Sequence, residues 1–187
     1  MNAEMKNAVI LHGSGETPES FWLPYAKREL EARGYSVSIP QLPDSEVDPD
    51  VNKCLPVALA ETYTEDTVVI GHSAGCPLIL SVLENINVRV KRAILVAGFS
   101  TFLPEDNGVN PILQDSYDWT KIAEHVDDII FINSDNDPWG CDDKQGRHML
   151  DSLGKGTLII RKGEGHMGSD RFNQPYREFP FLMKLVA

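Results

Sequence analysis

Residues 71–75 read Gly-His-Ser-Ala-Gly and separate two apolar runs of different spacing, "TVVI" before them and "CPLILSVLENI" after them. A strand that turns directly into a helix forces the residue at the apex, Ser73, into a strained backbone conformation. The flanking Gly71 and Gly75 lack Cβ atoms, so the strand and the helix can approach each other there. The turn lifts the serine hydroxyl above the sheet edge. It also sets it at a helix N-terminus, where unpaired N–H groups favour developing negative charge. With Gly and Ser each near 7% of residues, a bare G-x-S-x-G arises by chance about 0.06 times in a chain of this length. The strand before it and the helix after it make chance rarer still. The motif predicts a nucleophile elbow.

A serine alone is a poor nucleophile. It needs a base, and the base needs an acid to orient it. After an elbow the order along the chain is acid, then histidine. Three histidines follow Ser73. His125, in "KIAEHVDD", and His148, in "QGRHMLDSL", fall in helical patterns and read as face residues. His166, in "RKGEGHMGSD", lies in a glycine-flanked loop after an apolar strand, with room for its ring to swing toward Ser73. It is the expected base. The acid should follow the strand "IIFINS", where "SDNDPWG" offers Asp135 and Asp137. Pro138 restricts Asp137 and helps fix its carboxylate, which favours it. Asp135 can instead cap the turn. Asp127 and Asp128 stand at the wrong end of that strand.

The oxyanion hole should combine the N–H of Ala74 with one from the glycine turn "LHGSGETP", at Gly13 or Ser14. His12 reads as structural. His72, the variable residue of the elbow, should pack or bond locally. Cys54, Cys76 and Cys141 form no C-x-x-C pair. Cys76 reads as a small core residue, and no cysteine stands at an elbow. No set of residues has metal-ligand spacing. The G-x-G of the glycine turn lacks the rest of a phosphate loop. No cofactor is expected.

These residues need a scaffold that brings strand ends together. Short apolar runs alternate with helical segments. Strands are expected at residues 8–12, 35–40, 67–71, 92–98, 129–134 and 157–162. Helices are expected after the glycine turn up to Gly34, and at 49–63, 76–86, 119–126, 142–154 and 175–186, with Pro56 kinking or breaking the second. Strands apolar on both faces and alternating with helices imply a parallel sheet covered on both sides. Ligands then bind beyond the carboxyl ends of the strands.

The chain has 187 residues, 42% apolar and 24% charged, and a net charge of −11. One α/β domain over residues 1–187 is expected. The acidity argues against nucleic acid and anionic membrane surfaces as partners. The start "MNAEMKNAVILHG" does not have the pattern of a signal peptide, and no apolar run approaches the ~18 residues of a membrane span. The unpaired cysteines fit a reducing, cytoplasmic setting.

Several segments resemble one family. "SFWLPYAKRELEARGYSVSIPQLPD", "CLPVALAE", "VVIGHSAG", "AILVAGF", "YDWTKIAEHVDDIIFINSDNDP" and "GEGHMG" are similar to the small α/β-hydrolases typified by retinoblastoma-binding protein nine. The resemblance runs nearly end to end. It implies a triad of Ser73, Asp137 and His166, the acid being the residue immediately before proline. The chain departs from relatives at Cys54, where tryptophan is common, and at "WGCDD" after the Asp-Pro pair. The expected fold is a reduced α/β-hydrolase with about six parallel strands in order 2-1-3-4-5-6 and no cap domain. The expected activity is serine hydrolysis of a small ester, or of an amide or thioester, through an acyl-enzyme. A binding module on the same scaffold and an acyltransferase are the competing readings. Residues 99–119 hold two prolines and a glycine, too little for paired cap helices. They should fold as a loop over the pocket mouth, with Phe99, Phe102, Leu103 and Ile112 available to line it and Trp139 joining from the loop after the fifth strand.

Overall fold

The computed structural model describes residues 6–186. The expectation about a leader at the N-terminus therefore rests partly on Met1–Met5, outside the described residues. The strands are β1 (Asn7–Leu11), β2 (Ser36–Ser38), β3 (Val68–His72), β4 (Val90–Val96), β5 (Val126–Ser134) and β6 (Thr157–Arg161). The helices are α1 (Leu23–Glu31), α2 (Val51–Leu59), α3 (Gly75–Asn85), α4 (Trp119–Glu124), α5 (Asp143–Leu153) and α6 (Pro180–Leu185).

All six strands pair in parallel, in order β2-β1-β3-β4-β5-β6. The fold is that of an α/β-hydrolase, and the described residues contain no cap domain. The chain steps from β1 outward to β2, then crosses back to β3 and continues the other way. Right-handed crossovers require α1 to lie on the opposite face from the crossover helices α2 to α5. The packing agrees: α2 lies on α3, α3 on α4 and α4 on α5, whereas α1 meets α6. The switch in direction falls between β1 and β3, where a ligand crevice is expected.

β3 and α3 are buried almost throughout, which explains why both read as nearly continuous apolar runs. Several helices are shorter than their patterns. Residues 18–22 form turns before Pro24 opens α1, and α6 begins only at Pro180, because proline suits the first turn and not the interior. Asp50 caps α2 through the Asn52 N–H, and Asp142 caps α5 through the Lys144 N–H. Pro56 neither breaks nor ends α2. The carbonyl it leaves without a helical partner belongs to Asn52, on the exposed side, where water can take it. Residues 99–118 are a loop with turns, as their prolines and glycine predict.

The elbow depends on a close approach. A Cβ on Gly75 would stand 2.1 Å from the Leu11 carbonyl oxygen, and one on Gly71 would meet the Ile79 side chain at 2.7 Å and the Gly75 backbone at 3.0 Å. The Leu11 contact is backbone against backbone, so no side chain can move aside. Gly75→Ala should therefore cost about 3 kcal/mol of unfolding free energy, at the upper end for overpacking. Urea denaturation followed by far-ultraviolet circular dichroism measures it. A loss below about 0.5 kcal/mol would show that α3 and β1 can separate freely.

Candidate active site

The register of the sheet aligns Leu11 with Gly71, Gly71 with Leu95 and His72 with Val96. The residues that leave β1, β3, β4 and β5 thus emerge along one edge. Ser73 has φ of +50°, the left-handed conformation that the elbow demands of a non-glycine residue. Its N–H donates to the Val96 carbonyl at 2.9 Å, extending the β3–β4 ladder by one residue and fixing the strained apex.

Asp137 and His166 come together from the loops after β5 and β6. His166 Nδ1 lies 2.7 Å from Asp137 Oδ2, and both side chains are nearly or fully buried. The other carboxylate oxygen accepts the Trp139 N–H at 2.9 Å. This fixes the carboxylate plane, as Pro138 led one to expect for Asp137. Asp135 has a different task. It is exposed, and it accepts the Gly163 N–H at 2.8 Å. Asn136, between them, accepts the Gly165 N–H at 2.9 Å and the Ser134 hydroxyl at 2.7 Å. The His166 N–H donates to Gln174 Oε1 at 2.8 Å, and the Trp22 indole donates to the Met167 carbonyl at 3.0 Å. The glycine-flanked loop is therefore clamped from several sides. Its ring is held in place, contrary to the expectation that it has room to swing. Of the clamping residues, Asn136 and Trp22 are distant in the chain and carry no local sequence signal.

Ser73, Ala74 and His166 line one cavity of about 400 Å³. Phe21, Phe99, Leu103, Trp139 and Cys141 supply its apolar wall, and Ser14, Gly15 and Glu16 close the side next to β1. Two expected lining residues lie elsewhere. Phe102 is 55% exposed and borders a separate depression beside α2. The turn at residues 103–106, closed by the Leu103 N–H on Asp106 Oδ2, brings Leu103 and not Phe102 to the cavity. Ile112 is buried in the core.

The glycine turn also differs from expectation. The Gly13 N–H donates to Glu16 Oε2 at 2.8 Å, so it is not the free donor that an oxyanion needs. Ser14 remains on the cavity wall. Glu16 is almost wholly buried, and its Oε1 lies 2.6 Å from His72 Nδ1. His72 Nε2 meets the His166 carbonyl at 2.9 Å. His72 thus packs as expected, but its bonds reach across the fold. Glu16 had no sequence signal: an acid among Gly, Thr and Pro reads as a solvated turn. His12 is the structural residue its position implied. Its Nε2 accepts the Leu42 N–H at 3.0 Å, so the ring is neutral and burial holds its pKa down. His125 is not a solvated face residue, since its Nδ1 meets the Leu83 carbonyl at 2.8 Å. His148 is exposed and edges onto Trp119.

Burial pushes the Cys76 and Cys141 thiols well above the ordinary thiol range, which disfavours a thiolate nucleophile. Asp137, Cys141 and His166 place ligand atoms within 4.8 Å of one another, but the Asp137–His166 hydrogen bond already occupies two of the three. Burial also lowers the pKa of His166, opposed by the hydrogen bond to Asp137 and assisted by the charge on His72. The ring is therefore neutral at physiological pH.

The match to known proteins covers the same ground. Residues 8–185 match the Serine hydrolase family, and the chain belongs to it. It is 32% identical over 136 residues to YdeN of Bacillus subtilis (strain 168), covering 71% of each chain. The crystal structure of the ydeN gene product superposes with a TM-score of 0.87 at 25% identity, over 97% of this chain and 96% of that one. Est1E of Butyrivibrio proteoclasticus, solved with ferulic acid bound, gives 0.68 at 14% identity over 99% and 88%. Esterase PE8 gives 0.65 at 16% identity over 98% and 92%. These last two show the fold. The protein is an enzyme of the serine hydrolase class.

The electrostatics generate a measurable expectation. Proton-nuclear magnetic resonance of the imidazole Cε1–H should give His166 a midpoint below the ordinary histidine value of about 6.5. In Asp137→Asn it should fall further, because the carboxylate is what raises it. A midpoint above the ordinary value in the native protein would contradict this account of the site.

Proposed function

We propose that the protein hydrolyses small carboxylic esters through a Ser73–His166–Asp137 triad, in the manner of the retinoblastoma-binding protein nine type. The observation that carries the proposal is the buried Asp137–His166 hydrogen bond beside a cavity that Ser73 also lines. Ser73 attacks the acyl carbonyl, and His166 takes its proton as a neutral base. His166 then delivers that proton to the leaving alcohol, and water releases the acyl group by the same steps. Asp137 keeps the Nδ1–H tautomer and stabilises the transient imidazolium. The Ala74 and Ser14 N–H groups receive the oxyanion, while Gly13 serves the turn through Glu16. An ester is favoured over an amide or thioester because one fold neighbour, PE8, is named as an esterase. One α/β-hydrolase domain acting on a small soluble substrate is the simplest organisation.

A fluorophosphonate probe should label the wild type, and Ser73→Ala should abolish labelling. Asp137→Asn should lower kcat by about 10⁴, as expected when the base is held in the wrong tautomer. Asp135→Asn should do far less, since the amide oxygen can still accept the Gly163 N–H and the residue does not touch the His166 ring. Labelling that persists without Ser73, or the reverse ranking of the aspartates, would refute the triad. No labelling of the wild type would favour a binding scaffold.

The cavity also limits the acyl group. A space of about 400 Å³ bounded by short loops holds a small acyl chain and leaves longer ones in water. Across p-nitrophenyl esters, kcat/KM should fall as the chain grows from about four carbons to about twelve, because the added methylenes bury little surface. There should be no jump in rate when micelles form. A preference for long chains would refute this reading.

A further inference from the structure

We propose that Glu16 and His72 form a proton-holding strut that positions the His166 loop and the Gly13–Ser14 turn together, and that loss of its proton sets the alkaline limit of the reaction. The inference rests on the triad proposed above. Both residues are positioning residues: their bonds go to the backbone of catalytic elements and to each other.

The geometry specifies where the protons are. His72 is fully buried, and its two ring nitrogens face two oxygens. The His166 backbone carbonyl can only accept, so Nε2 carries a hydrogen. The Glu16 carboxylate, already accepting the Gly13 N–H, accepts at Oε1 from Nδ1. Meeting both contacts takes one proton shared between Nδ1 and Oε1 in addition to the one on Nε2, and the directions in which the two groups are shifted put it on the ring. His12 shows the contrast, because a backbone N–H donates into its ring and leaves it neutral.

The surroundings favour that state. Phe21 and Trp22 make T-shaped contacts with His72, with centroids 6.1 and 5.7 Å away, and wall it off from water. The titratable groups around the pair are His166, its ring centroid 5.0 Å from that of His72, with Asp137 behind it, His12 from the end of β1 and Cys76 from α3. Burial works against charge on His72, but the Glu16 carboxylate, the His166 carbonyl and Asp137 together outweigh it and hold the His72 pKa above its ordinary value. Burial likewise works against charge on Glu16, and His72 holds its pKa below the ordinary value. His72 thus contributes stability that is fully present below about pH 6.5 and is lost as pH rises through its raised value. Glu16 contributes stability that is present above about pH 4.5 and is lost as pH falls through its depressed value. The strut is intact between those two limits.

Above the upper limit, one of the two contacts must fail. A lone pair on Nε2 would oppose the His166 carbonyl, or one on Nδ1 would oppose the Glu16 carboxylate. Either displaces the base loop relative to the turn. Misplacement of about 1 Å at a reacting centre is worth about a hundredfold in rate. The profile of kcat/KM against pH should therefore be bell-shaped. His166 gives the acid limb and the strut gives the alkaline one.

Glu16→Gln separates this role from simple packing. Its amide oxygen can accept the Gly13 N–H while its amide N–H donates to a neutral His72 at Nδ1, and His72 still donates from Nε2 to His166. The variant should lose only a few-fold in kcat/KM at neutral pH and should lose the alkaline limb. Glu16→Ala, which cannot hold either partner, should lose about a hundredfold, mostly in kcat with little change in KM. If that variant does not fold, nitrogen-15 resonance of the native protein still decides the matter. His72 should show two ring N–H groups at neutral pH and lose one across the alkaline limb. A single N–H in the native protein, or an alkaline limb that survives in Glu16→Gln, overturns the proposal. Fluorophosphonate labelling of the wild type reports on Ser73 independently, so failure of the triad and failure of the strut are distinguishable.

Discussion

The Leu11 carbonyl occupies the place where a side chain on residue 75 would stand. This contact draws the first turn of α3 against the end of β1, at the point where the strand order reverses. Ser73 can hold φ of +50° only because the ladder to Val96 on one side and the α3–β1 contact on the other leave it no alternative. The cost of that conformation is met by the most deeply buried part of the molecule. The proposed nucleophile, Ser73, therefore stands on a deeply buried element, which is what a reaction with little tolerance for displacement needs.

His166 and Asp137, the proposed base and acid, are held differently. They sit on loops, and loops acquire rigidity only through specific bonds. The loop after β6 is clamped by Asn136, Gln174 and Trp22, and from beneath by His72. Asp135, Asn136 and Asp137 are consecutive, yet each meets a different atom of that loop. The run Asp-Asn-Asp is best understood as three fittings between two loops, only the last of which touches the His166 ring.

Charge is distributed with the same economy. Most of the 28 acidic residues are exposed and serve solubility. Two lie deep beside the cavity, Glu16 and Asp137, and each is matched to a histidine. The two pairs are only one ring apart, but they differ in protonation. His72 faces two acceptors and holds its charge, while His166 faces one carboxylate, loses to burial and stays neutral. A charged ring beside a neutral one lowers the basicity of the second and keeps it ready to accept a proton near neutrality.

The elbow turn, the parallel sheet and the pairing of Asp137 with His166 could be read from the sequence, because each leaves a local or periodic mark. Glycines flank the serine, apolar runs alternate with helical ones, a proline follows the acid, and glycines surround the histidine. The strand order could be read as well, through the resemblance of whole segments. Three things belong to the tertiary structure. Glu16 becomes a buried partner of His72 only when β1 and β3 lie side by side, 56 residues apart in the chain. The Gly13 N–H is diverted to that carboxylate, which no turn composition reveals. Phe102 turns outward and Leu103 inward because a single turn at Asp106 sets the phase of the loop. The physical reason is common to all three. Periodicity and backbone restriction are written residue by residue, whereas the partner of a buried polar group is decided by which strands the sheet makes neighbours.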